Sequence, residues 1–170
     1  MMMRELAEKR YSCRSFSGKK VDGELISRMI DTAILAPTAV NRQPYQIFRL
    51  DSEKAKDAVR RASGCTYGAD TFLIVGYKEA DGWVRPSDGR NFADIDAGIV
   101  GTHLILAATD LGLNITWVGN FDSEKLQAEF PAMRDYQLVA LFPIGYAAED
   151  GGPSEQHFSR KSKEELVTVL

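Results

Sequence analysis

From residue 97 to residue 109 the chain runs thirteen positions without a charge. Flanked by Asn91 and Gly112, this run reads as the middle of one long helix over residues 91–113. Residues 97–108 are apolar on nearly every side, so the helix has to be buried all round rather than along one stripe. A domain of 170 residues has little material to wrap such a helix completely. Some of its cover is therefore expected from a second subunit, with Gly98 and Gly101 allowing close backbone approach. Thirteen uncharged residues are also too few to span a bilayer, so no membrane segment is expected. His103, on the same helix, reads more readily as a satisfied buried histidine than as a catalytic one.

The length predicts one domain, residues 1–170. A net charge of −3 argues against a general nucleic-acid binder. Cys13 and Cys65 are too few for a disulfide scaffold and too far apart for a zinc pattern, so no metal site is expected and both read as free thiols. The charged residues 1–10 lack the apolar core of a signal peptide. A cytoplasmic location is the expectation.

Around the long helix, periodicity predicts a layered mixture of helices and strands. Residues 2–9 make a short amphipathic start. A second helix begins at Asp22 and Glu24, with Leu25, Ile26, Met29, Ile30, Ala33 and Ile34 on one buried stripe, and Pro37 ends it. Residues 46–50 form a short strand, and Ser52 or Asp51 caps a charged helix over 53–62. Residues 71–77, nearly all apolar, suit a central strand covered on both faces. Residues 81–90, with Gly82, Pro86 and Gly89, read as a mobile loop in which Trp83 and Arg85 serve as a lid or as surface packing. Residues 114–118 form a strand and 124–130 a helix capped by Asp122 or Ser123. The last strand, 137–146, contains Pro143 and is expected to lie near an edge there. Residues 147–159 form a Gly/Pro-rich arm before Arg160 and Lys161. No G-x-G-x-x-G follows a strand, so a Rossmann dinucleotide site is disfavoured.

Two polar segments interrupt this pattern. In Arg10-Tyr11-Ser12-Cys13-Arg14, an extended backbone sends residues 10, 12 and 14 to the same side. Two guanidiniums and a hydroxyl then share one target, and a guanidinium fork matches phosphate or carboxylate. The same residues would also suit a solvated edge with salt bridges. In Ala36-Pro37-Thr38-Ala39-Val40-Asn41-Arg42-Gln43-Pro44-Tyr45, two prolines stiffen a loop rich in donors. A loop that only had to turn would use glycine and aspartate. It suits recognition of a flat, polar-edged ligand, or else is a surface turn with incidental polarity.

Taken in order, these segments resemble the flavin-dependent nitroreductase family. Arg10-Tyr11-Ser12-Cys13-Arg14 is similar to its R-x-S-x-R/K start, and residues 36–45 to its A-P-S-x-x-N-x-Q-P-W/F loop. Asp96-Ala97-Gly98 with Ala107-Ala108 and Leu111-Gly112-Leu113 resembles its D-x-G…A-A-x-x-L-G-L helix. Trp117-Val118-Gly119-Asn120-Phe121-Asp122 resembles the strand and turn that follow. The chain departs at Ala39, where many members carry a second serine, and in lacking the larger insertions that shape the substrate pocket.

The resemblance implies an α+β, three-layer fold with a mixed or antiparallel central sheet flanked by helices. It also implies a domain-intertwined homodimer with FMN at the subunit interface. By position, Arg10 and Ser12 would hold the phosphate, and Arg14 the ribityl or pyrimidine side. Thr38, Asn41 and Gln43 would arrive from the partner subunit. A backbone N–H at Gly119 or Asn120 would face flavin N5, and Arg160 with Lys161 would complete the phosphate site. Tyr11, Pro37, Ala39 and Val118, neighbours in the same segments, complete the implied cofactor-binding set. No side chain is required as a catalytic acid or base, because the chemistry is centred on the flavin. The implied activity is ping-pong hydride transfer from NADH or NADPH to a nitroaromatic, quinone or similar small-molecule electrophile. The same fold also serves dehalogenation and flavin fragmentation, and a flavin-binding or storage protein without turnover would use the same residues. A flavin-free structural dimer is the remaining alternative.

Overall fold

The structure, a computed structural model, describes residues 2–170. Its helices are α1 (Met3–Lys9), α2 (Gly23–Ala33), α3 (Glu53–Ala62), α4 (Ala93–Asp110), α5 (Ser123–Glu129) and α6 (Lys163–Leu166). Its strands are β1 (Tyr45–Leu50), β2 (Thr71–Tyr77), β3 (Asn114–Ile115) and β4 (Gln137–Gly145). The strands form one sheet in the order β1-β2-β4-β3, with every neighbouring pair antiparallel.

Period-two alternation divides two cores between the faces of this sheet. Leu73 and Val75 of β2, with Ala140, Phe142 and Ile144 of β4, pack beneath α2 and α4. Phe72, Ile74 and Leu141 point the other way, into the layer that holds α3 and α5. The result is the expected α+β three-layer arrangement, with β2 buried on both sides. The caps are local: Asp22 accepts from the Glu24 N–H, Ser52 from Ala55 and Asp122 from Lys125.

Pro143 does not mark an edge, because β4 lies between β2 and β3. Its effect falls on the neighbour instead. Thr116 N–H donates to the Pro143 carbonyl at 3.2 Å, and proline has no N–H to return the bond. Pairing resumes at Val118 and Leu141, whose N–H groups donate to each other's carbonyls at 2.9 Å. The strand expected over 114–118 is thus shortened to two residues and a single bridge. Residues 81–90 are likewise more ordered than expected. Val84 bridges Asn91, Phe92 N–H donates to the Trp83 carbonyl, and the Trp83 ring meets Phe92 edge-on at 5.2 Å. Trp83 packs, half-buried, against Phe92 at the start of α4.

Within one protomer α4 is covered on one side only. Ala97, Val100, Gly101, Leu104 and Ala108 are buried, whereas Ile95 and Thr102 are exposed and Ile99 and Leu106 half-buried. A cleft of 590 Å³ opens beside this uncovered side, between α1, α2 and α4. Gly101 is filled from within the chain: a Cβ there would strike the Trp117 ring and come within 3.0 Å of Phe142. Of the two glycines, only Gly98 has open space beside it, with nothing within 4 Å of an added Cβ. His103 Nδ1 sits 2.9 Å from the Ile99 carbonyl, as a satisfied helix histidine does.

The segment between α3 and β2 is pinned by charge. Lys56, 6% exposed, donates to Asp70 at 2.7 Å and to Glu53 at 3.0 Å. Asp70 raises the Lys56 ammonium above the usual lysine range. A raised cationic pKa contributes stability that is fully present at neutral pH. It is lost as pH rises through the folded-state value, above the ordinary 10.5. Asp70→Ala is therefore expected to destabilise by about 1–3 kcal/mol near pH 7. Chemical denaturation at several pH values should show that gap narrowing in strong alkali.

Candidate functional site: a cationic cleft closed by both ends of the chain

Residues 10–16 run extended beside the start of β3. Ser12 makes a single parallel bridge to Ile115, and Cys13 N–H donates to the Ile115 carbonyl at 3.3 Å. Alternation sorts the side chains as expected. Arg10, Ser12 and Arg14 line one cleft. Tyr11 turns away, donates to the Gly151 carbonyl at 2.8 Å and accepts from Asn114 Nδ2 at 2.9 Å. Cys13 is fully buried, and burial pushes its thiol pKa up.

The C-terminal arm is lashed to this segment. Ser17 N–H donates to the Tyr146 carbonyl, Ala148 N–H to that of Ser15, and Phe16 bridges Ala147. Ser15 Oγ donates to Asp150 at 2.7 Å. Gly151 sits so close to the Ser15 carbonyl that a Cβ there has no room. Held in this way, the arm delivers Ser154, Gln156, His157 and Arg160 to the cleft already lined by Arg10, Ser12 and Arg14. Lys161 does not line it.

Three guanidiniums therefore converge with no acidic side chain in the lining. Among the described residues, none of the three takes part in a salt bridge. Arg160 spends its Nη1 on the Gln156 and Ser159 carbonyls, which fixes it within the arm. Unpaired arginines beside a hydroxyl form an anion site, and their geometry favours phosphate or carboxylate. The cleft holds 180 Å³, below the roughly 300–1,000 Å³ of small-molecule pockets. It is sized for the charged end of a ligand rather than for all of it.

Two further segments, residues 118–122 and 62–67, are tied to each other and to Phe16. Val118 is committed to Leu141 on both backbone groups. Gly119 and Asn120 are exposed, and among the described residues their N–H groups have no protein acceptor. The turn is held by Ser63, whose Oγ donates to the Asn120 carbonyl at 2.8 Å, and by Asp122 N–H on the Ala62 carbonyl. Tyr67, four residues after Ser63, accepts Phe16 N–H on its carbonyl. Its phenol pKa is raised, first by hydrogen bonding with Cys65 and then by burial, against the opposing pull of Arg14.

The stiff loop does not join this cleft within one chain. None of Pro37, Thr38, Ala39, Asn41 or Gln43 lines it. Val40, Asn41 and Gln43 all have φ between 44° and 57°, a left-handed conformation that L-residues other than glycine seldom adopt. Gln43 N–H donates to Thr38 Oγ1 at 3.1 Å, and Gln43 Nε2 to Asn41 Oδ1 at 3.1 Å. Both backbone groups of Ala39 are used inside the protomer: its N–H donates to Asp96, and its carbonyl accepts from Arg42.

Sequence reasoning missed Ser154, Gln156 and His157, because the arm has no periodicity from which to aim a side chain. It also left Ser63 and Tyr67 unplaced. The one available signal was their position between a capped helix and the central strand.

Fold and cleft together define a class: an α+β protein with a cationic cleft lined by residues 10–14 and 154–160 at the margin of an antiparallel sheet. The chain belongs to the nitroreductase family, whose model matches residues 7–67 and 57–146. A nitroreductase family protein from Clostridium difficile 630 superposes with a TM-score of 0.90 at 32% identity, covering 99% of this chain and 98% of that one. A nitroreductase with bound FMN from Desulfitobacterium hafniense DCB-2 shares the fold, with a TM-score of 0.72 at 19% identity over 100% of both chains. Among curated proteins, an NADPH-dependent oxidoreductase of Staphylococcus aureus (strain USA300) is 25% identical over 163 residues, covering 85% of this chain. The chain spans only 64% of the length of that relative.

Gly151→Ala should loosen the lashing, with a loss of about 1–3 kcal/mol as in other overpacked sites. Gly152→Ala, with nothing within 4 Å of its added Cβ, serves as the neutral comparison in denaturant melts.

Proposed function

We propose that this chain is an FMN-dependent oxidoreductase that takes electrons from NADH or NADPH and delivers them to a nitroaromatic, quinone or related small electrophile. The observation that carries the reading is the convergence of Arg10, Arg14 and Arg160 with Ser12 in a cleft lacking any acidic partner. A phosphate monoester needs such a set, since each charge-assisted hydrogen bond contributes about 1.5–3 kcal/mol. Family membership and the FMN named in a solved protein of this fold support the choice of anion. The reductant is supported by the name of the Staphylococcus aureus relative.

Bound FMN supplies the two-electron redox chemistry; the chain binds, orients and tunes it. Arg10, Ser12 and Arg160 hold the phosphate, with Lys161 adding long-range positive charge. Arg14 meets the ribityl or pyrimidine side. There its charge favours the reduced, more negative flavin, and about 1.4 kcal/mol of such preference shifts a two-electron couple by roughly 30 mV. The free N–H groups of Gly119 and Asn120 present donors to the ring edge near N5. Thr38, Asn41 and Gln43 reach the flavin of a second copy, with Pro37 and Ala39 shaping their loop.

The homodimer follows from three supports. The cleft is too small for a whole flavin, one side of α4 lacks cover, and Leu166, Val167, Val169 and Leu170 leave the protomer exposed. No helix among the described residues is long and apolar enough to cross a membrane, which accords with a cytoplasmic enzyme.

The protein purified with FMN should be yellow, and anaerobic NADH or NADPH should bleach its visible band. Arg14→Ala should weaken FMN binding at least about tenfold. A protein that retains no FMN, or whose flavin neither nucleotide reduces, would count against the assignment.

A further inference from the structure

Asp96 is 1% exposed, in the first turn of α4. Its Oδ1 accepts the Ala39 N–H at 2.9 Å, while Oδ2 has no protein partner among the described residues. A buried carboxylate with one hydrogen bond is an expensive way to hold a loop. Asparagine would accept the same bond without burying a charge. The positive end of the 18-residue helix α4 offsets part of that cost. The other end of the bond is strained as well. Val40, Asn41 and Gln43 are left-handed, and the β-branched Val40 is 69% exposed, so burial in the protomer does not compensate it. Among the described residues, the bond to Asp96 is the one hydrogen bond that residues 38–43 make outside the loop. The remaining bonds, through Thr38 Oγ1, Gln43 Nε2, Asn41 N–H and Arg42 N–H, close the loop on itself. Backbone strain and under-satisfied buried polar groups mark functional positions, and here the two meet at a single hydrogen bond.

We propose that Asp96 is a positioning residue for the flavin: by fixing the Ala39 N–H it imposes the left-handed shape that presents Thr38, Asn41 and Gln43 to the cofactor. This rests on the reading of loop 36–45 as a flavin-facing element. The bond also turns the Ala39 N–H inward, leaving the side chains around it as the loop's polar face. The carboxylate acts on the ligand only through Ala39.

The test uses the full chain, titrated with FMN and followed by flavin fluorescence and visible circular dichroism. Trypsin cleavage after Arg42 and hydrogen exchange of the Ala39 amide are measured without flavin. Asp96→Ala should weaken FMN binding at least about tenfold, flatten the bound-flavin dichroism, and speed both cleavage and exchange. Asp96→Asn keeps an acceptor for Ala39 and should restore FMN affinity to within about threefold of wild type. Ala39→Pro removes the donor from the loop side without touching α4, and Thr38 already has the extended conformation that precedes proline. It should reproduce the loss even if Asp96→Ala fails to fold. Wild-type FMN binding matched by both Asp96→Ala and Ala39→Pro would overturn this inference and leave the flavin assignment standing. A wild-type chain that binds no FMN would overturn both.

Discussion

Three like charges held together without a counter-charge are the condition on which this structure turns. Arg10, Arg14 and Arg160 repel one another, yet they line a single cleft. What overrides the repulsion is neutral: a strap of backbone hydrogen bonds between residues 13–17 and 115–151, reinforced by the Tyr11 and Asn114 side chains. Folding thus gathers positive charge at one margin of the sheet, and the proposed phosphate ligand would offset it. Because the strap needs both ends of the chain, the site forms only when the sheet between them is complete.

Helix α4 performs the complementary task. One side seals the core under β2 and β4. Its first turn steadies the donor-rich loop through Asp96, and its uncovered side faces outward. Within one chain the cation cleft and the polar loop lie apart. In the proposed homodimer, pairing two copies would bring these unlike parts together and cover apolar surface that one chain leaves open. On that proposal, assembly and cofactor binding depend on the same helix.

Much of this was legible from residue order. The alternation at 10, 12 and 14 aimed three side chains correctly, because an extended segment leaves no other choice. The buried strand at 71–77, the start of a helix at Asp22 and Glu24, and a cap at Ser52 or Asp51 followed from rules that act within a few residues. Errors arose where a distant neighbour decides. Pro143 was expected near an edge but lies inside the sheet, where it interrupts its partner strand instead. Gly101 was expected to admit a second subunit, and Trp117 of the same chain occupies the space. A glycine announces that something comes close without saying what does. Residues 81–90 carried loop composition, yet Trp83 and Phe92 close them into a hairpin. The arm at 154–160 was opaque because only the lashing at Ser15 and Gly151 gives it a direction.

The phosphate grip is tested most directly by comparing the affinity of the purified protein for FMN with that for riboflavin, which has the same ring and ribityl chain but no phosphate. If the three arginines and Ser12 engage a dianion, FMN should bind at least about a hundredfold more tightly, and the advantage should shrink with added salt. Equal affinity for the two flavins at low salt would contradict the account, since the converging guanidiniums would then contribute nothing to holding the ligand.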